Sequence, residues 1–90
     1  MKPVRWTRHA LQNLTDREID RSAAEATLDE PEFAVPDPPG RQILMRRYSD
    51  RVLRQNMLLR MIVEETASET VVVTVYKTSQ IGRYLEGLTP

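Results

Sequence analysis

Three stretches after Gly40 alternate side-chain character with a period of two: Arg41–Tyr48, Met57–Glu64 and Thr70–Lys77. Only an extended strand turns successive side chains to opposite faces, so this half of the chain is committed to sheet. The connections, 49–56 and 65–69, are polar and short, which suits hairpins between antiparallel neighbours. The odd-numbered set is Ile43, Met45, Arg47, Met57, Leu59, Met61, Val63, Val71, Val73 and Val75. All but Arg47 are apolar, and they are expected to form the core face. The even-numbered set mixes arginine, tyrosine and hydroxyl groups with a few aliphatics. A hairpin closing between Glu64 and Thr70 sets Arg60 opposite Thr74 and Leu58 opposite Tyr76. In that register Arg46, Tyr48, Arg60 and Tyr76 share one open surface.

The layer that covers this sheet must come from the first 40 residues. Pro3–Trp6 reads as a short strand with Val4 and Trp6 on one side. Thr7 can cap the helix that follows, in which Ala10, Leu11 and Leu14 make an apolar stripe. Thr15-Asp-Arg-Glu18 has the form of a capping box and is expected to start a second helix. Ile19, Ala23, Ala26 and Thr27 are its expected inner residues, and Pro31 ends it. A short strand fits at Glu32–Val35, and the Pro36–Gly40 segment reads as a turn. Ser79 to Leu85 reads as a last helical turn or short helix. The fold class is therefore α+β: two N-terminal helices packed on a three- to five-stranded antiparallel sheet, with residues 1–90 forming one domain.

Composition narrows the chemistry. A chain of 90 residues buries only about 60–70 % of its unfolded surface, which leaves a modest core. The absence of cysteine excludes disulfides, thiolate zinc sites and thiol catalysis. A lone histidine argues against a His-rich metal site. Gly40, Gly82 and Gly87 stand too far apart for a phosphate-cradling loop, and no serine-nucleophile elbow occurs. No metal and no cofactor are expected. The apolar runs are far shorter than the roughly 20 residues of a membrane helix. The first residues lack the apolar core of a signal peptide, so a cytoplasmic protein is the expectation.

The formal net charge is zero, from 13 basic and 13 acidic residues. That balance hides segregation. From Asp16 to Glu32, seven acids stand against two arginines, a net of −5. From Arg41 to Arg60, six arginines stand against Asp50 alone, a net of +5. Eleven of the basic residues are arginine, whose planar fork suits phosphate and carboxylate recognition. A polyanion contact is thus expected to be local, on the sheet segment. Guanidinium groups fork onto phosphates, and tyrosine rings stack on unpaired bases. The same two residue types are equally at home in protein–protein interfaces. His9 is chemically suited to general acid–base work, since imidazole titrates near neutrality.

The ordered set of motifs resembles one family. It comprises Trp6-Thr-Arg-His-Ala10, Arg17-Glu-Ile19, Leu28-Asp-Glu-Pro31, Gly40-Arg41 and Met45-Arg-Arg-Tyr48. Leu59-Arg-Met-Ile-Val63, Val72-Val-Thr-Val-Tyr-Lys-Thr-Ser79 and the segment Ile81–Tyr84 complete it. Together these resemble the bacterial domain-of-unknown-function 4258 family, over nearly the whole chain. That family is similar in layout to RelE- and BrnT-type toxins, a group of metal-independent ribonucleases. The resemblance implies attack of a ribose 2′-hydroxyl on the neighbouring phosphodiester. His9 would be the general acid or base, and Arg46 or Arg60 would stabilise the developing charge. Tyr76, Thr74 or Lys77 would position the phosphate or protonate the leaving oxygen. The implied RNA-binding set is Arg46, Tyr48, Arg60, Thr74, Tyr76 and Lys77, and the implied partners are RNA and a cognate antitoxin protein. The alternative is a non-catalytic module that binds another protein or itself through the same arginine–tyrosine residues or a sheet edge.

Overall fold

The computed structural model describes residues 2–88. A short strand β1 (Val4–Trp6) leads into helix α1 (Arg8–Asp16) and helix α2 (Arg21–Asp29). Strands β2 (Phe33–Asp37), β3 (Arg41–Asp50), β4 (Gln55–Glu65) and β5 (Thr70–Thr78) follow, and a short helix α3 (Ile81–Leu85) comes after them. The five strands form one sheet in the order β1-β5-β4-β3-β2. β1 runs parallel to β5, and every other pair is antiparallel. The α+β class stands, but the sheet is mixed rather than purely antiparallel, and the helices are not all N-terminal. Among the described residues, no helix is long and apolar enough to cross a membrane.

Helix boundaries follow from capping. Thr7 caps α1 as expected, its hydroxyl oxygen accepting the Ala10 N–H. The supposed capping box does not start α2. α1 runs on through Thr15 and Asp16, and Glu18 turns the chain at a positive φ of 51°. Asp20 is the true cap, accepting from Ser22 N–H and Ser22 Oγ. A carboxylate closer to the helix start wins over the Thr15 pattern because it satisfies the first free N–H groups directly.

One side of the sheet is covered by α1 and α2. Its core includes Ala10, Leu14, Ile19, Ala24, Leu59, Met61, Val63, Val72 and Val75. The other side carries a smaller cluster in which Ile81, Tyr84, Leu85 and Leu88 pack against Phe33, Met45 and Leu58. Both faces are therefore used, and this overturns the assignment of faces by residue parity. The β3–β4 turn holds four residues between the paired Asp50 and Gln55, so each odd-numbered residue of β3 faces an even-numbered residue of β4. Leu44, Arg46 and Tyr48 lie on the α1/α2 side opposite Met61, Leu59 and Met57, while Ile43, Met45 and Arg47 turn to the α3 side.

β5 adds a second correction. Arg60 pairs with Tyr76, Ile62 with Thr74 and Leu58 with Thr78, two residues away from the expected register. A bulge follows, since Val63 pairs with Val72, leaving Val73 as the extra residue. The bulge restores Val72 to the helix side, where it is fully buried.

Candidate functional site

The residues singled out for chemistry divide between two faces. Arg46 pairs with Leu59 and Tyr48 with Met57 on the α1/α2 side. Arg60 pairs with Met45 and Tyr76 on the α3 side. The shared surface expected for Arg46, Tyr48, Arg60 and Tyr76 does not form, because the four-residue turn exchanges the parity of β3.

On the α3 side Arg60 lies in an aromatic cage. Its guanidinium carbon stands 4.1 Å from the Tyr84 ring centroid and 5.1 Å from that of Tyr76. Nη1 also donates to the Tyr76 hydroxyl, and Nε lies 3.4 Å from the Met45 sulfur. Arg83 extends the cluster, 5.8 Å from the Tyr84 centroid. Arg60 makes no ion pair among the described residues. Its charge is met by ring faces, a phenol oxygen and a thioether sulfur, which hold a guanidinium in place without neutralising it. Arg47 shares this face, but Glu32 engages it through Nε, Nη2 and the backbone N–H.

Thr74 is on the same face, two residues from Tyr76, and it connects to α1. Asn13 Nδ2 donates to Thr74 Oγ1 at 2.7 Å. α1 runs along the part of the β5 edge that the short β1 leaves open. Thr7 N–H donates to the Val72 carbonyl, Thr7 Oγ1 to that of Val73, and Arg17 Nη1 to that of Val75. A helix laid on a strand edge in this way blocks further strand pairing there. His9, Asn13 and Arg17 follow the i, i+4 spacing of one helical row. His9 stands exposed at the N-terminal end of that row. Of this row, Asn13 reaches Thr74 and Arg17 reaches the Val75 carbonyl, while His9 makes no hydrogen bond to another side chain among the described residues.

Arg46 and Lys77 serve other ends. Arg46 Nη1 donates to the Glu30 carbonyl at the end of α2. Lys77 joins a buried network at the other end of β3. Its Nζ donates to Asp50 Oδ2 at 2.8 Å and to the Glu18 carbonyl at 3.0 Å. Tyr48 Oη donates to the same carboxylate oxygen at 2.9 Å, while Oδ1 accepts Val52 N–H and Leu53 N–H, each at 2.9 Å. Asp50 is 4 % exposed. Burial alone would raise its pKa, but Lys77, the Leu53 N–H and the Tyr48 hydroxyl outweigh it and hold the carboxyl at about 2. The Tyr48 phenol is pushed up, by burial first and then by its bond to Asp50. A pocket of about 320 Å³ lies beside this network, lined by Ile19, Asp20, Tyr48, Arg51 and Val52 among others.

Sequence reasoning passed over Asn13, Arg83 and Tyr84. Asn13 interrupts the apolar row of α1 at a position that is 5 % exposed, where a polar residue needs a partner. Tyr84 belongs to the Ile81, Tyr84, Leu85, Leu88 spacing, an amphipathic signal present in the sequence.

These features define a small α+β domain whose mixed sheet presents an uncompensated arginine among tyrosines on one face and a pinned turn at one end. The family model described as Domain of unknown function (DUF4258) matches residues 6–77. The chain belongs to that family. No curated protein and no solved structure matches it.

Proposed function

We propose that this domain binds single-stranded RNA across the α3-side face, in the manner its resemblance to RelE/BrnT-type toxins implies. The observation that carries the reading is Arg60, caged by Tyr76 and Tyr84 and without a carboxylate partner. A guanidinium already oriented and partly desolvated loses little freedom when a phosphate arrives. Tyr76 and Tyr84 supply rings for unstacked bases. Thr74 retains a hydroxyl proton to donate, because its oxygen accepts from Asn13.

In the cleaving version, His9 takes the proton of a ribose 2′-hydroxyl as that oxygen attacks the adjacent phosphorus. The 5′-oxygen leaves with a proton from solvent, and a 2′,3′-cyclic phosphate remains. Arg60 offsets the charge that builds on the non-bridging oxygens. Arg46, Tyr48 and Lys77 have no part in this reading, since each is already engaged, Arg46 by the Glu30 carbonyl and Tyr48 and Lys77 by Asp50.

The test is binding and cleavage of a labelled single-stranded RNA by the full chain with chelator present. Arg60→Gln is expected to weaken binding about tenfold or more, the loss of one charge-assisted contact. His9→Ala is expected to abolish cleavage while leaving affinity within about twofold. Wild-type protein that leaves RNA both unbound and intact would overturn the proposal. So would unchanged RNA binding by a folded Arg60→Gln variant.

A further inference from the structure

Two complementary features stand at opposite ends of the strands. The first is the β3–β4 turn. Val52 and Leu53 at its tip are 62 % and 47 % exposed, the two most exposed large apolar side chains among the described residues. This tip is not slack. Asp50 holds the Val52 and Leu53 N–H groups, and is itself held by Lys77 and Tyr48. Arg51 and Arg54 flank the tip, and neither makes an ion pair among the described residues. A buried charge network that serves to present two apolar side chains between two cations has the anatomy of an interface anchor: an apolar centre with a charged rim.

The second feature is a groove of about 460 Å³ at the other end, where β3 begins and β4 ends. Val4, Leu28, Pro31 and Ala34 give it apolar walls, and Asp29 stands on its rim. Val4 is 43 % exposed. Lys2, also on the rim, is paired with Glu65. Asp29 makes no ion pair among the described residues, and Glu30 beside it is likewise unpaired. The groove therefore pairs an apolar floor with acidic groups, the inverse of the tip.

We propose that the Arg51–Arg54 turn of one copy docks into this groove of a second copy, head to tail. The two features lie at opposite ends of β3 and β4, too far apart along the strands to meet within one molecule. A contact between unlike patches is heterologous, so each added copy leaves one tip and one groove free. Apolar side chains at the tip favour a protein partner over nucleic acid, and the acids of the groove match the arginines beside them. The contact is small, so association is weak and grows with concentration.

Sedimentation of the full chain across a concentration series tests this. The mass of wild-type protein is expected to rise above the 10.4 kDa of one chain, to pass that of two chains, and to fall on adding salt. A tip variant, Val52→Glu with Leu53→Glu, and a groove variant, Asp29→Arg with Ala34→Arg, are each expected to stay single. Self-association in either should weaken by about tenfold or more, as for the loss of an interface anchor. Mixed together, these two variants should form a complex of two chains and no more, because only one intact tip meets one intact groove. All four positions are exposed or at the rim, and circular dichroism checks that the variants fold. The proposal is overturned by wild-type protein that remains single throughout, by a species that stops at two copies, or by variants that associate like wild type. A mixture that stays single overturns it too, as does a tip variant that keeps wild-type mass and loses only RNA binding.

Discussion

Replacing Lys77 by methionine isolates the cost of holding the β3–β4 turn with a buried charge. The substitution keeps most of the side-chain volume and removes the ammonium that donates to Asp50 Oδ2. The Asp50 carboxylate then keeps three donors, Tyr48 Oη and the N–H groups of Val52 and Leu53. Breaking a buried ion pair on one side costs about 3–5 kcal/mol, and the remaining donors place this case near 3. An escape route sets the ceiling, since protonating an ordinary aspartate at pH 7 costs about 4 kcal/mol. Against a total stability of about 5–13 kcal/mol for a chain of this size, that is a large fraction. The melting temperature should fall by about 12–24 °C.

The pH dependence carries the sharper test. Asp50 is held at about 2 in the folded protein, below the unfolded value of about 3.9. A depressed carboxyl contributes stability that is present above the unfolded pKa and is lost as pH falls through the folded one. That contribution is about 2–3 kcal/mol. In Lys77→Met the folded carboxyl rises, so wild type and variant should converge as pH falls from 5 toward 2. Adding Asp50→Asn to Lys77→Met should recover part of the loss, because the amide oxygen still accepts from Val52 and Leu53. Thermal and urea unfolding at pH 7, 5 and 3 provide the measurement. A loss below about 1 kcal/mol at pH 7, or a gap of equal size at pH 3, would refute the argument.

Two smaller perturbations probe other joints. Thr7→Ala removes both the cap on Ala10 N–H and the bond to the Val73 carbonyl; urea unfolding should show a loss of about 1–2 kcal/mol, with faster amide exchange at the start of α1. Glu32 is held at about 2 by the Arg47 side chain first and its backbone N–H second. Glu32→Gln should cost only about 1 kcal/mol at pH 7, because Arg47 is half exposed, and the difference from wild type should shrink as pH falls from 4 to 2.

Much of the architecture was legible because its signals are local. The period-two pattern located β3, β4 and β5, and Thr7 marked the start of α1. What failed was non-local. Whether Arg46 and Arg60 share a face depends on the number of residues in a turn, and the stretch 49–56 does not declare which of its residues pair. The eight residues between Tyr48 and Met57 and the four left between Asp50 and Gln55 are both even counts, and an even count sets odd residues of β3 opposite even residues of β4, which an assignment of faces by number parity overlooks. The valine run of β5 hid its bulge for a related reason, since Val71, Val72 and Val73 are alike in chemistry and differ only in orientation. The parallel pairing of β1 with β5 joins segments more than 60 residues apart, and no local pattern announces it. Arg60, Thr74 and Tyr76, which share one face, were each picked out by residue type. Tyr84 was missed because its role depends on α3 folding back over Arg60.

The arginines divide into groups with different work, and this division bears on the neutral net charge. Arg5, Arg21 and Arg47 are neutralised by Glu69, Glu25 and Glu32. Arg17 and Arg46 are spent on backbone carbonyls of β5 and α2, where they tie the helices to the rest of the fold. Arg60 is caged by rings on the α3 side, and Arg51 and Arg54 flank an apolar tip at the end of the sheet. Arg8 and Arg41 are exposed and make no ion pair among the described residues, so zero net charge coexists with several unpaired arginines, of which those at the ring cage and at the apolar tip mark the two surfaces proposed for binding. Their settings differ: one is an aromatic surface suited to bases and phosphates, the other an apolar tip suited to a protein groove. Because they occupy different parts of the molecule, Arg60→Gln should leave self-association unchanged and the tip variant should leave RNA affinity unchanged. An arginine substitution that moved both readouts together would mean that one surface serves both partners, and the division argued from their surroundings would fail.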